Sequence, residues 1–239
     1  MRLARNLPQL LLRSRLSRHL LSLQLLNWRI PRSFLRRTRT LHTFLSSYLR
    51  IPEPFSQIEH QEIGTDILRK IILRLACSDE AAHDFAALPQ AEERDLLFLA
   101  GNVYSDMDVV WDEELDVYAS VVTELIRKGY RVCWKEHPRA SRPFAARMAE
   151  TFPPGGFVAL NVSQEWPIEI VCAARHFPAC VGVCSSALYS LPVLYGTKTF
   201  TVAELLVRKG KSASFQPMAM TIRDIPDYRQ LSSLAGASL

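Results

Sequence analysis

Acidic residues are missing from the first fifth of this chain. Residues 1–50 hold eleven arginines and no Asp, Glu or Lys. The whole chain of 239 residues is +5, so residues 51–239 carry −6. The basic pI of 9.1 therefore belongs to the head segment, and it does not mark the remaining body as a nucleic-acid binder. Long apolar runs are lacking too. The leucines of the head are interrupted by Arg, Ser and Gln and never approach the ~18–20 apolar residues of a spanning helix. They are also too punctuated for a secretory signal peptide. Glycine is scarce, with nine in the chain. Neither Gly-x-Gly-x-x-Gly nor a complete Gly-x-x-x-x-Gly-Lys-Ser/Thr loop occurs (Gly210-Lys211-Ser212 has Leu205 where the first glycine would stand), which argues against a nicotinamide dehydrogenase and a P-loop ATPase. The five cysteines (Cys77, Cys133, Cys172, Cys180, Cys184) include no Cys-x-x-Cys pair. Cys133, Cys180 and Cys184 lie inside apolar strand patterns and are predicted to be reduced core thiols rather than a redox pair or a metal site, and no disulfide framework is implied.

What is present divides into four segments. The Arg-rich head, 1–50, admits a basic amphipathic helix on an anionic membrane surface, a transit-peptide-like leader, or a solvated tail. Residues 51–94 open on a linker marked by Pro52 and Pro54. A helix is predicted over 65–75, its apolar positions 67, 68, 71, 72 and 75 following the 3.6-residue period, with Thr65 or Asp66 as N-cap. A short helix and a polar loop around Pro89 follow. Residues 95–225 alternate strand and helix, and residues 226–239 are predicted to be a loose tail.

Within 95–225, the run 96–100 (LLFLA) is continuous and apolar, as expected of a strand buried on both faces. Gly101-Asn102 turns the chain. Acidic residues follow (Asp106, Asp108, Asp112, Glu113, Glu114). An amphipathic helix is predicted over 113–128 with Leu115, Tyr118, Val122, Leu125 and Ile126 on one side, closed by Gly129. Further strands are predicted at 130–135, 157–160, 179–184 and 198–202, with helices at 142–151, 167–174 and 185–191. This alternation predicts an α/β fold, a Rossmann-like doubly wound sheet of about five parallel strands with right-handed crossovers.

Three motifs sit where strands end, which is where open α/β sheets hold ligands. His137-Pro138-Arg139 follows the second strand. Proline restricts the residue before it to extended geometry and so holds the imidazole out from the sheet edge. There it can donate to a phosphate or a leaving oxygen, with Arg139 and Lys135 adding positive charge. Alone, the motif is equally a surface turn. Glu169 lies just inside the helix after the third strand, where a carboxylate can hold ribose hydroxyls or merely favour the helix dipole. Ser185-Ser186 opens the helix after the fourth strand. Its hydroxyls and unpaired N–H groups can cradle a phosphate or simply cap the helix. Gly182, just before it, would let the strand pack closely.

The succession 134–139 (WKEHPR), 166–169 (WPIE) and 181–188 (VGVCSSAL) resembles bacterial sialyltransferases, closest to the polysialyltransferase and lipooligosaccharide sialyltransferase groups, over roughly residues 95–206. That resemblance implies the C-terminal Rossmann-like half of a two-domain GT-B glycosyltransferase, working without a metal or other cofactor on CMP-sialic acid as donor substrate. It implies that His137 contacts the CMP phosphate and assists its departure, with Pro138 and Arg139 beside it. Glu169 would hold the ribose, Ser185 and Ser186 the phosphate, and Gly101-Asn102 would lie at the interdomain cleft. It further implies a glycan acceptor in a capsule or lipooligosaccharide. The location implied is cytoplasmic, with peripheral contact at the inner face of the cytoplasmic membrane through residues 1–50.

One family feature is not found. The Asp/Glu-Asp/Glu-Gly motif, whose carboxylate deprotonates the acceptor, has only Glu62-Ile63-Gly64 as a poor approximation. About 94 residues precede the predicted sheet, fewer than a full Rossmann domain needs. The expectation is thus a present donor half and a reduced or truncated acceptor half, with 51–94 its remnant. The alternatives are a catalytically impaired nucleotide-sugar-binding remnant, or a related capsule glycosyltransferase using another nucleotide sugar such as CMP-Kdo.

Overall fold

Five short strands build the centre of the larger unit. In the computed structural model, which describes residues 40–43, 59–62, 64–103, 109–164, 166–209 and 224–234, the chain divides into two units, Met1–Ile63 and Gly64–Leu239. In the first, β1 (Thr40–Thr43) pairs in parallel with β2 (Glu59–Glu62). The remainder of the Arg-rich head, Ile63 of the poor acidic motif, and Asp106 and Asp108 lie outside the described residues.

In the second unit the elements run α1 (Thr65–Ala76), α2 (Asp79–Phe85), β3 (Asp95–Leu99), α3 (Trp111–Arg127), β4 (Arg131–Lys135), α4 (Ala145–Thr151), β5 (Phe157–Ala159), α5 (Ile168–Ala174), β6 (Ala179–Gly182), α6 (Ala187–Tyr195), β7 (Lys198–Thr201) and α7 (Ala203–Lys209). The five strands β3–β7 form an all-parallel sheet in the order β5-β4-β3-β6-β7. This is a Rossmann-like α/β fold, as the strand–helix alternation predicts. β3 and β4 are buried along their full lengths, consistent with helices on both faces. Strand order reverses between β3 and β6, so the topological switch point lies at their carboxyl ends.

The core explains where periodicity misleads. Trp134 stacks on Phe98 at 4.7 Å and meets Tyr118 edge-on at 5.3 Å. The buried face of α3 is Trp111, Glu114, Val117, Tyr118, Val121, Val122 and Leu125. The predicted face is therefore rotated: Leu115 and Ile126 are only half-buried, and Glu114 from the acidic run is inside. Gly129 ends α3 at φ 95°, as a C′ glycine does.

Helix α6 runs further than predicted, through Pro192 to Gly196 at φ 70°. Proline removes the N–H that would bond Leu188 O. The Thr199 hydroxyl donates to that carbonyl instead, at 2.8 Å. The cap of α1 is Gly64, with no side-chain hydrogen bond, rather than Thr65 or Asp66.

Two boundaries also shift. Helices α1 and α2 pack into the same unit as the sheet. Arg69 on α1 donates to Leu194 O at 2.8 Å and Val193 O at 2.7 Å, tying down the carboxyl end of α6, and Ile72 packs with Ile170 and Leu194. Residues 226–234, expected to be loose, are held. Thr201 N–H donates to Pro226 O at 2.8 Å, and Tyr228 and Leu231 are buried. Their apolar side chains are spaced too sparsely to register as a helix or strand pattern.

Candidate functional site

The last paired residues of the central strands fall in one row. Leu99 of β3 is opposite Lys135 of β4 on one side and Gly182 of β6 on the other. Neighbouring strands lie about 4.8 Å apart. The loops carrying Gly101-Asn102, His137-Pro138-Arg139 and Ser185-Ser186 therefore leave the sheet side by side across the switch point.

The His137 loop is pinned by a residue that the motif reading left without a role. Glu136 Oε2 accepts from Trp134 Nε1 at 3.1 Å, Phe144 N at 2.9 Å and Ala145 N at 3.0 Å. One carboxylate oxygen thus closes the loop 136–144 and caps the start of α4. Glu136 Oε1 is buried without a hydrogen bond. Phe144 stacks on Trp111 at 4.9 Å, and Trp111 Nε1 donates to Arg142 O at 2.9 Å. Within the loop, Ala140 N–H donates to His137 O at 3.0 Å, and Arg139 N–H donates to His137 Nδ1 at 3.2 Å. With Nδ1 accepting, the neutral imidazole carries its proton on Nε2. Pro138 and Arg139 are exposed and His137 is half-buried.

The loop after β3 is set by a buried pair. Tyr118 OH donates to Glu114 Oε1 at 2.5 Å and accepts from Gly101 N–H at 2.9 Å. Val103 N–H also donates to Glu114 Oε1, at 3.3 Å. Burial, then the Glu114 charge, push the Tyr118 phenol well above its ordinary range, so it stays a donor. Gly101 has no room for a side chain: a Cβ would lie 3.0 Å from Tyr118 OH and 3.2 Å from the Val183 side chain. At Gly182 a Cβ would meet its neighbours at 3.4 Å, ordinary contact. The tight glycine is therefore Gly101, not Gly182.

On the other side of the switch point, Ser185 Oγ accepts from Ala187 N–H at 3.2 Å, so this serine caps α6. Ser186 is exposed. Glu169 is held from α6: Ser190 Oγ donates to its Oε1 at 2.6 Å and Tyr195 OH to its backbone carbonyl at 2.6 Å. Trp166, of the same segment, donates from Nε1 to Asp84 on α2 at 2.6 Å. Helices α1 and α2 thus brace the carboxyl end of α6 and the segment that leads into α5, where Glu169 sits. Ser190, Tyr195 and Asp84 were not singled out in the sequence, because helical spacing alone places them as ordinary core or surface residues.

The thiols take no visible part. Burial pushes Cys133 up to about 12 and raises Cys172 and Cys180 as well, so all three remain protonated.

A family model described as Alpha-2,8-polysialyltransferase (POLYST) matches residues 13–204. The chain belongs to the alpha-2,8-polysialyltransferase family. The match reaches well beyond the predicted span of 95–206 and takes in most of the Arg-rich head. Polysialyltransferase membership makes this a sialyltransferase-like glycosyltransferase, a class that takes a nucleotide-sugar donor and a glycan acceptor. No curated protein and no solved structure matches the chain. Among the described residues, no helix is long and apolar enough to cross a membrane.

Proposed function

We propose that this polysialyltransferase-family chain transfers sialic acid from CMP-sialic acid to a hydroxyl of a cell-surface glycan of the capsule or lipooligosaccharide type. The observation that carries the reading is the alignment of three loop-bearing strand ends, β4, β3 and β6, at the switch point of the sheet. His137 on one of these loops and Ser185-Ser186 on another are the donor-phosphate contacts. Arg139 adds charge, and Gly101-Asn102 forms the floor between them. Glu169, with one oxygen taken by Ser190, offers the other to the ribose hydroxyls.

In the reaction the acceptor oxygen forms a bond to the anomeric carbon while the bond from that carbon to the phosphate oxygen breaks, and the electron pair leaves on CMP. His137 Nε2–H hydrogen-bonds that oxygen and stabilises the charge that develops on it. The acceptor proton passes to a base that the described residues do not identify. Residues 1–50, with eleven arginines and no acid, suit the anionic inner face of a membrane, each basic residue adding about 1 kcal/mol there.

Calorimetric titration with CMP, CDP and UDP, followed by a transfer assay with CMP-sialic acid and with CMP-Kdo, tests the reading. The expected result is binding of CMP alone and release of CMP when a sialylated glycan is present. Failure of CMP to bind sinks the site. CMP binding without transfer to any glycan selects the catalytically impaired remnant instead, and transfer from CMP-Kdo selects the other sugar.

A further inference from the structure

Lys135 closes β4 in the row of strand ends, and only 6% of its surface is exposed. A buried ammonium with three donors is costly unless it is paired. The Lys135 side chain makes no hydrogen bond and no ion pair within 4 Å with any described residue. Its electrostatic neighbours are Glu169, Cys172 and Glu136. Each carboxylate has one oxygen engaged elsewhere, Glu169 Oε1 by Ser190 and Glu136 Oε2 by three N–H groups, and neither forms an ion pair with the ammonium. Burial draws the Lys135 ammonium below its ordinary range, and Glu169 pulls in the opposite direction only in part. The fold thus holds a cation that forms no ion pair at the carboxyl end of β4.

We propose that Lys135 is an anion-binding residue of the crevice, pairing with the phosphate of the nucleotide donor and with the second negative charge that the phosphate gains as the sugar leaves. This rests on the donor reading above. A cation already desolvated and fixed needs little reorganisation when that charge develops. The competing role is purely structural, with Lys135 acting through Glu169 on the ribose.

The test compares wild type, Lys135→Met and Lys135→Arg by calorimetry with CMP and with cytidine, which lacks the phosphate. Methionine keeps most of the stem and removes the charge. The expected result is a loss of CMP affinity on the order of 10- to 100-fold in Lys135→Met, an unchanged cytidine affinity, and partial rescue by Lys135→Arg. Melting of Lys135→Met should be unchanged or higher, since an unpaired buried charge is gone. If CMP and cytidine weaken together, or if neither changes, the proposal is overturned. A second arm uses inorganic phosphate alone. At matched ionic strength phosphate should raise the melting temperature of wild type and not of Lys135→Met, and equal stabilisation of both also overturns the proposal. If wild type binds no CMP yet shows the phosphate effect, the donor reading fails while the anion site stands.

Discussion

The amino and carboxyl ends of the same sheet treat charge in opposite ways. At the amino end, Asp95 is 1% exposed and fully engaged. Arg131 donates to it from Nε at 2.6 Å and from a terminal nitrogen at 2.9 Å. Arg175 reaches the same carboxylate, and Glu92 N–H donates at 2.8 Å. Arg131 also pairs with Glu92 and donates to Gln90 O at 2.7 Å. Only Arg175 Nε in this cluster is buried without a hydrogen bond. At the carboxyl end, Lys135 is buried without an ion pair, Glu169 has one oxygen committed to Ser190, and His137 and Ser185 sit on loops pinned from behind. One end spends its charges on joining β3, β4 and the segment before β6. The other holds charges in place while leaving them for something else.

Breaking the amino end should have the largest effect on stability. Asp95→Asn leaves two buried guanidinium groups short of a counter-ion and is expected to cost about 3–5 kcal/mol. It should lower the melting temperature while leaving the CMP affinity of the folded fraction unchanged. A loss of CMP affinity with normal stability would erase the distinction between the ends. The same cluster predicts acid behaviour. Burial pushes the Asp95 carboxyl up, but the Arg131 and Glu92 hydrogen bonds and Arg175 outweigh it and hold the group below its ordinary 3.8. A carboxyl depressed on folding contributes its full stability above the unfolded value, and that contribution is lost as pH falls through the folded one. Denaturant midpoints measured downward from about pH 5 should therefore fall in wild type and change less in Asp95→Asn.

Intermediate effects belong to the residues that pin the site loops. Tyr118→Phe removes the hydroxyl that joins Gly101 N–H to Glu114, with an expected cost of about 1–3 kcal/mol. Glu136→Ala frees the 136–144 loop and should reduce sialic acid transfer more than CMP affinity. Equal loss of both would mean that Glu136 acts on the ground state alone. The smallest expected effect is at Ser186→Ala, an exposed position, with a loss in CMP affinity of about 1 kcal/mol or less and no change in melting. Stability measured alongside each titration sharpens the comparison.

The fold could be read from the chain because β3, β4 and β6 are short apolar runs separated by amphipathic helices with their own stop signals, Gly129 among them. The motifs could be read because His-Pro and Ser-Ser follow the ends of β4 and β6 and Pro-x-Glu opens the helix α5. What lay hidden depends on contacts across long sequence separations. Glu114 looked like one more surface acid, yet the Tyr118 hydroxyl and Val103 amide make its burial tolerable. Glu136 looked like filler between Lys135 and His137, yet it caps a helix eight residues away. The extension of α6 through Pro192 depends on Thr199, a strand residue that satisfies the carbonyl the proline abandons. The packing of 226–234 depends on a bridge between Thr201 and Asp227, which no local pattern announces.

The central claim is that the carboxyl-end crevice binds the donor nucleotide through groups that do not hold the fold together. Its most direct test is CMP titrated calorimetrically into wild type and His137→Ala under identical conditions, with both melting curves recorded. The account predicts CMP binding to wild type, affinity weakened about tenfold or more by the substitution, and superimposable melting curves. Equal CMP affinity in the two proteins would contradict it.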